Sequence, residues 1–202
     1  MTDVSAGGGR TPSRAVEQAL VDAAERVLVR DGLHGLTVRA VAGEAGVAPM
    51  GVYNRFGNKD GLVAAVLLRG FDALAAGIGG SDGDRPEERL VSCGRHYRDF
   101  ALGHPQHYEA MFGTAVSPAA REAATTAELA EHAGAAFGVL VTEVSRAMDA
   151  GVLRRDDPAE TAQVIWSAVH GAVTLELAGV VQVADADATY ERLLATLVAG
   201  LS

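Results

Sequence analysis

The chain has 202 residues, of which 49% are hydrophobic and 5% aromatic, and its formal net charge of −9 excludes a protein with a uniformly basic surface. This hydrophobic content also excludes a disordered chain, and scarce proline with few aromatics favours helices over a sandwich of short strands. One cysteine, Cys93, cannot form an intramolecular disulfide, and the first residues lack the apolar core of a signal peptide, so we expect an all-α cytoplasmic protein.

The negative charge belongs to the second part of the chain. Residues 1–60 contain seven basic and seven acidic residues, whereas residues 61–202 contain ten basic and nineteen acidic residues. Nucleic acid repels an acidic surface, so a basic face for nucleic acid would have to lie on the neutral first part.

The first predicted helix follows a tail rich in glycine and serine, residues 1–13, which we expect to be disordered. From Arg14, apolar residues recur with helical spacing until Asp31-Gly32 ends the helix. Thr37 suits the N-cap of a short second helix, and Gly46 suits the left-handed residue that ends it.

A third helix follows, with Pro49 in its first turn and Phe56-Gly57 at its end. Asn58 can cap a fourth helix that begins at Lys59. A longer helix followed by two short ones, with a glycine-containing turn between them, predicts a helix-turn-helix DNA-binding domain over residues 14–60.

The third helix separates apolar from polar side chains. Val47, Val52 and Phe56 are expected to pack inward, which leaves an outward face that can approach the bases of a major groove closely and form hydrogen bonds there. Groups near the helix starts can bond phosphate oxygens. The residues expected to contact DNA are Thr37, Arg39, Pro49, Met50, Gly51, Tyr53, Asn54, Arg55 and Lys59. The alternative is that the charged residues are solvated and the tyrosine is a half-buried packing residue.

The segment TVRAVAGEAGVAPMGVYNRFGNKDGLV resembles the helix-turn-helix of the TetR family of bacterial transcriptional regulators, over about residues 14–64. The threonine before the second helix, the Ala-Gly-Val turn, the Tyr-x-x-Phe of the third helix and the following lysine all fall at the separations typical of that family. The resemblance implies an N-terminal domain that binds a palindromic operator as a dimer, and a C-terminal domain that holds an inducer.

The same resemblance implies roles for individual residues. Backbone phosphates would be contacted by Thr37, Tyr53 and Lys59, and the bases by Pro49, Met50, Gly51 and Asn54. Ala48 departs from the family pattern, which has serine or threonine there. A cap and a phosphate contact are therefore expected to be missing at the start of the third helix.

Residues 61–202 are expected to form a helical ligand-binding and dimerisation domain. Its last two helices, predicted over 158–181 and 187–200, are apolar around most of their circumference. Polar residues within the first of them favour a buried helix over a membrane span. Because a helix that is apolar all round must be buried on more than one side, we expect a homodimer through these two helices.

The segment WSAVHGAVTLELAG, residues 166–179, resembles the Trp-His-Gly segment of one C-terminal class of the same family. Most other aromatic and histidine residues gather between positions 93 and 112. Together these residues can enclose an apolar pocket for a small inducer. The residues expected to touch the inducer are Tyr97, Phe100, Tyr108, Met111, Phe137, Trp166 and His170. Ordinary core packing is the alternative for each of them.

Other chemistries find weaker support. Cys93 with His96, or His104 with His107, gives two potential ligands, whereas a structural zinc site needs about four. No Ser-His-Asp arrangement, phosphate-binding glycine loop or paired carboxylate stands out. We expect no catalysis, metal, cofactor or membrane, and the expected partners are double-stranded DNA and a small molecule. The alternative function is a helical small-molecule- or metal-binding protein, or an enzyme, without DNA binding.

Overall fold

The computed structural model describes residues 13–80, 82–113 and 127–202. These ranges contain nine helices and no strand, which confirms the all-α prediction. Of the predicted tail, residues 1–12 lie outside the described residues, and Ser13 already belongs to the first helix. The helices are α1 (Ser13–Gly35), α2 (Val38–Ala45), α3 (Pro49–Phe56), α4 (Lys59–Gly79), α5 (Pro86–Gly103), α6 (Pro105–Phe112), α7 (Ala127–Asp149), α8 (Pro158–Leu177) and α9 (Ala186–Leu201).

The chain divides into two compact units between Val66 and Leu67, and the division falls inside α4. The first unit holds α1 to α3 and the start of α4, and the second holds the remaining helices. By length and composition, α4 is the one helix of the described ranges that could cross a membrane. That criterion is weak, because the core helix of a soluble protein also meets it.

The core of the first unit is made of a few aliphatic side chains. Leu20, Val27 and Leu28 of α1 are buried, and so are Val41 of α2 and Val52 of α3. Burying one such side chain is worth about 1.5–3 kcal/mol relative to leaving it exposed. Helix α2 is therefore anchored by three buried residues, Val38, Val41 and Ala42, and helix α3 by Val52.

The first helix does not end at Asp31-Gly32, as the sequence suggested. Gly32 has φ 67° and ψ −175°, which lie outside the helical region, and the chain resumes a helical conformation as far as Gly35. Glycine adopts a positive φ without the steric penalty of a Cβ. The predicted end of the helix is therefore a kink inside α1.

The predicted caps of α2 and α4 are confirmed. The Thr37 hydroxyl oxygen accepts a hydrogen bond from the backbone N–H of Ala40 at 3.1 Å, and Gly46 is left-handed with φ 67°. The Asn58 side-chain oxygen accepts a hydrogen bond from the backbone N–H of Gly61 at 3.0 Å. The Thr37 and Asn58 caps satisfy N–H groups that have no partner inside the helix, whereas the Gly46 N–H donates to carbonyl oxygens at the end of α2.

In the second unit, α5 is joined to three other helices by arginine–carboxylate pairs. Each pair joins a different helix, which fixes α5 from several directions. The pairs are Arg89–Glu143 on α7 (2.8 Å), Arg98–Glu176 on α8 (2.6 Å) and Arg95–Glu191 on α9 (2.6 Å).

Helices α5 and α9 approach each other closely at Gly94. A Cβ at this position would lie 2.6 Å from Cδ2 of Leu194, and the Tyr190 hydroxyl donates a hydrogen bond to the Gly94 carbonyl oxygen at 2.8 Å. The missing side chain lets the two backbones come together. This contact brings the apolar end of α9 to the interior of the second unit.

Candidate nucleic-acid interface and ligand cavity

Helix α3 turns one side to the core of the first unit and the other to solvent. Val52 is fully buried and Phe56 is half-buried, as predicted. The residues expected to face DNA are exposed or half-buried along the same helix: Pro49, Met50, Tyr53 and Asn54 are exposed, and Gly51 and Arg55 are half-buried. The helix therefore presents a continuous outward surface about two turns long.

Val47 differs from its predicted inward packing. It lies in the turn directly after the left-handed Gly46, its N–H donates to the Ala42 carbonyl oxygen at 2.9 Å, and 36% of its surface is exposed. The turn geometry carries its side chain away from the core. Together with Met50 and Tyr53, spaced three residues apart, it forms an exposed row that we call the apolar stripe.

The first turn of α3 has no side-chain cap, as expected from Ala48. Its start is held by Pro49 and by a hydrogen bond of 2.8 Å from the Gly51 N–H to the Ala48 carbonyl oxygen. A Cβ at Gly51 would meet its nearest described atom, in Val47, at 3.9 Å, which is an ordinary contact. Packing within the described part of the first unit therefore does not require glycine at this position.

Two arginines of α1, Arg26 and Arg30, are neutralised by neighbouring carboxylates. Arg26 contacts Glu44 at 2.7 Å, and Arg30 contacts both Glu44 and Asp31 at 2.9 Å. Hydrogen bonds from Arg26 and then Arg30 hold the pKa of Glu44 below its ordinary value, so this carboxylate stays ionised. These positive charges are consequently balanced within the first unit.

Arg39 and Lys59 differ from those two arginines of α1. Both are exposed, and neither forms an ion pair with any residue that the structure describes. Arg55 is half-buried, so it is less accessible than Asn54 beside it. Unbalanced positive charge close to the starts of α2 and α4 gives this segment an attraction for phosphate.

A cavity of about 320 Å³ lies within the second unit. Helices α4 to α9 and Leu153 line it, and nearly all of the lining side chains are aliphatic or aromatic. Four of the seven residues expected to touch the inducer lie on its wall, namely Tyr97, Met111, Phe137 and Trp166. Such a lining suits an apolar molecule.

The other three residues expected to touch the inducer do not line this cavity. Phe100 lies near the end of α5, and its ring packs beside that of His104 with centroids 5.2 Å apart. Tyr108 and His170 lie behind the wall, because hydrogen bonds hold them to Tyr97. The sequence correctly grouped these aromatic residues but did not distinguish the wall from its support.

A hydrogen-bond network stands behind Tyr97. Its hydroxyl lies 2.7 Å from Nδ1 of His170 and accepts a hydrogen bond from the Trp166 indole N–H at 3.3 Å. The Tyr108 hydroxyl lies 2.8 Å from the same His170 nitrogen and 3.3 Å from the Thr174 hydroxyl. The network fixes the orientation of the tyrosine ring on the cavity wall.

Burial keeps this network uncharged. It lowers the pKa of His170 and raises the pKa of both Tyr97 and Tyr108. Burial acts in this direction because the charged form loses its hydration. A neutral histidine whose Nδ1 carries no proton can accept a hydrogen bond there from one tyrosine hydroxyl.

Sequence reasoning missed the aliphatic part of the wall. Leucines and isoleucines with helical spacing look the same in a sequence whether they fill a core or line a cavity, so no signal could have identified them. The missed aliphatic residues include Leu74, Ile78, Leu90, Leu140, Ile165, Leu194, Leu197 and Leu201. Two aromatic wall residues, Phe71 and Phe112, were also not among the residues expected to touch the inducer.

The weak metal site suggested by Cys93 and the nearby histidines finds no geometric support in the described ranges. No group of three or more His, Cys, Asp or Glu side chains there is placed to hold a metal ion. Cys93 is buried and lies on the cavity wall.

Two family models match the chain. Residues 20–66 match the model described as bacterial regulatory proteins, tetR family, and residues 90–197 match the model described as tetracyclin repressor-like, C-terminal domain. An uncharacterized HTH-type transcriptional regulator of Mycobacterium tuberculosis is 29% identical over 192 residues, which cover 94% of this chain and 83% of that protein.

Solved structures resemble the whole chain. A protein of unknown function from Rhodococcus sp. RHA1 matches with a TM-score of 0.81 and 26% identity, over 98% of this chain and 99% of that chain. The transcriptional regulator FadR of Bacillus subtilis, solved in complex with stearoyl-CoA, matches with a TM-score of 0.71 and 19% identity, over 92% and 100% of the two chains. At this identity the second match concerns the fold alone.

Proposed function

The chain belongs to the TetR family of bacterial regulatory proteins, and we propose that it is a repressor that binds a palindromic operator as a homodimer and is released by a small, mainly apolar inducer. Members of this family are transcriptional regulators and not enzymes, and they bind DNA operators and typically small-molecule ligands as dimers. The proposal adds the direction of regulation, the symmetry of the operator and the chemistry of the inducer. It places the protein in the cytoplasm, with no membrane partner.

The outward surface of α3 carries the DNA-binding part of the proposal. Met50, Tyr53 and Asn54 are exposed there, and Arg39 and Lys59 supply positive charge that no described carboxylate pairs with. We assign phosphate contacts to Thr37, Arg39, Tyr53 and Lys59, and base contacts to Pro49, Met50, Gly51, Asn54 and Arg55. Residues 14–60 are the proposed DNA-binding domain, and residues 61–202 the ligand-binding and dimerisation domain.

An exposed row on α8 supports the proposed homodimer. Val164 and Leu175 leave 54% and 55% of their surfaces exposed, and the small residues Ser167 and Gly171 lie exposed between them. Positions 164, 167, 171 and 175 lie along one face of a helix. In a twofold interface this face and the exposed alanines of α9 would meet their own copies.

The cavity supports an apolar inducer. Its wall is formed largely by aliphatic and aromatic groups, and two of its aromatic residues, Tyr97 and Trp166, are joined by a hydrogen bond of 3.3 Å. FadR of Bacillus subtilis, which has a similar fold, was solved with stearoyl-CoA. For this chain we propose a smaller ligand or ligand part, with an apolar body inside the cavity.

Release from the operator requires that the inducer bind two states of the dimer differently. Two α3 helices must enter successive major grooves about one helical turn, roughly 34 Å, apart. An inducer that favours a dimer with another spacing lowers operator affinity by its differential affinity for the two states.

Selection of binding sites from random duplex DNA with the full-length protein tests the operator. We expect two inverted half-sites whose centres lie about one helical turn apart. Recovery of single or directly repeated half-sites would overturn the palindrome, and recovery of no preferred sequence would overturn operator binding.

The inducer is tested with the selected duplex. A panel of neutral apolar compounds is screened for an increase in melting temperature, and each hit is titrated into the protein with and without operator. Linkage requires that operator weaken ligand binding by the same factor by which the ligand weakens operator binding. Independent binding of the two would contradict the proposed release.

A further inference from the structure

The apolar stripe is exposed on a surface that should bind a charged polymer. Val47, Met50 and Tyr53 account for three of the nine large apolar side chains exposed in the described ranges. Met50 is the most exposed of the nine, at 64%. An exposed apolar group on a binding surface indicates an apolar contact in the complex.

The residues around Met50 restrict the kind of base-edge group that this part of α3 can recognise. Ala48, Pro49, Met50 and Gly51 form the first turn of α3 and the residue before it, and none of their side chains carries a hydrogen-bond donor or a strong acceptor. Direct reading of G, C or A in the major groove depends on hydrogen bonds to base edges. The feature that an apolar side chain can distinguish there is the C5-methyl group of thymine.

The shape of Met50 suits this contact. Its side chain is unbranched and its thioether is polarisable, so it fills an irregular apolar surface. Gly51 beside it adds no side chain, which allows the backbone to approach the groove. Asn54, one turn further along the helix, supplies the hydrogen-bonding side chain that this first turn lacks.

We propose that Met50 reads the methyl group of a thymine in each half-site, so that the start of α3 specifies T by apolar contact and Asn54 specifies its base by hydrogen bonds. This inference rests on the proposed operator binding. We take double-stranded DNA as the molecule that covers the stripe, because two exposed basic residues, Arg39 and Lys59, lie on either side of it in the sequence. Neither forms an ion pair with a described carboxylate, so both can attract phosphate.

The test replaces thymine by deoxyuridine, which removes only the C5-methyl group. Starting from the selected operator, each thymine of one half-site is changed singly, and affinity is measured by fluorescence anisotropy with the full-length protein. One thymine should show a loss of about fourfold, the value of burying one methyl-sized group. The same loss should disappear in Met50→Ala and persist in Met50→Leu, which keeps an apolar side chain of similar reach.

A second readout separates base contact from phosphate contact. Met50→Ala should leave the slope of log affinity against log salt unchanged, because no phosphate contact is removed. A uracil effect below twofold at every thymine overturns the inference, and so does a uracil effect that survives in Met50→Ala. Failure to select any preferred duplex would instead overturn the proposed function itself, so the two failures are distinguishable.

Discussion

The two functional regions of this protein use their side chains in opposite ways. On α3 the residues proposed to bind DNA are those that the core of the first unit does not use, such as Met50 and Asn54. In the second unit the cavity wall and the core are made of the same side chains, such as Leu153 and Leu194. Binding and stability should therefore be separable on α3 and inseparable around the cavity.

The largest effect is expected for Trp166→Ala on the cavity wall. Removal of this ring should lower the free energy of unfolding by about 3 kcal/mol. Trp166→Phe is the milder comparison, because it keeps an aromatic ring on the wall and loses part of the ring volume together with the hydrogen bond to Tyr97, which alone is worth about 1 kcal/mol. Urea denaturation followed by circular dichroism measures both. If Trp166→Ala were as stable as the wild type, the proposal that the same side chains line the cavity and stabilise the core would be contradicted.

On the other side of the comparison, Asn54→Ala should leave stability within about 0.5 kcal/mol of wild type, since the residue is exposed. Its preference for operator over random DNA should fall by about 2 kcal/mol, because a bidentate contact to one base is lost. Competition binding with the two duplexes measures the difference. Equal losses on both duplexes would contradict base reading by Asn54.

Lys59→Ala should weaken binding to operator and random DNA alike, by about 1 kcal/mol near physiological salt, and should reduce the salt slope by about one. Arg155→Ala is the control for net charge, since Arg155 is an exposed arginine of the second unit. An unchanged slope in Lys59→Ala, or the same change in both variants, would argue against a phosphate contact at Lys59.

Gly51→Ala sharpens the comparison by moving stability and binding in opposite directions. Alanine is favoured over glycine inside a helix by about 0.5–1 kcal/mol, and the added methyl meets no close described atom. Stability should therefore rise slightly while operator affinity falls. Gly134→Ala on α7, which also has open space for a Cβ, should raise stability without changing operator affinity.

The smallest effect concerns pH and the support of the cavity wall. Burial lowers the pKa of His170 in the folded protein below the value of about 6.5 expected in the unfolded chain. At a pH between these two pKa values, the unfolded chain binds a proton at this histidine and the folded protein does not. Stability should then decrease as pH falls below about 6.5. In His170→Gln this part of the decrease should be absent, as measured by urea denaturation at pH 8 and pH 5.5. An identical decrease in both proteins would contradict the assignment.

The helix-turn-helix could be predicted from sequence because the residues that begin and end its helices act on the neighbouring backbone. Thr37, Gly46 and Asn58 act within four residues of their own positions, through capping or backbone conformation, and the structure has each of them as predicted. Gly32 shows the limit of this reasoning. A glycine with a positive φ interrupts the helical conformation, but the residues after Gly32 are helical again, so the sequence signal marks a kink and not the end of the helix.

The cavity was less predictable, because it depends on contacts between distant helices. Tyr97, Tyr108 and His170 were grouped correctly, yet which of them faces the cavity depends on how α5, α6 and α8 meet. Val47 was assigned to the core from its apolar character alone. The conformation of the turn, and not the residue type, decides that it is exposed.

The position of Trp166 has a practical spectroscopic consequence. It is the only tryptophan in the sequence, and it lies on the cavity wall among Phe112, Phe137 and His170. Light at 295 nm would therefore excite a single site. A molecule that enters the cavity changes the polarity around that indole, so the emission maximum and intensity report occupancy without any added label. The protein carries its own fluorescent probe for the discovery of its ligand.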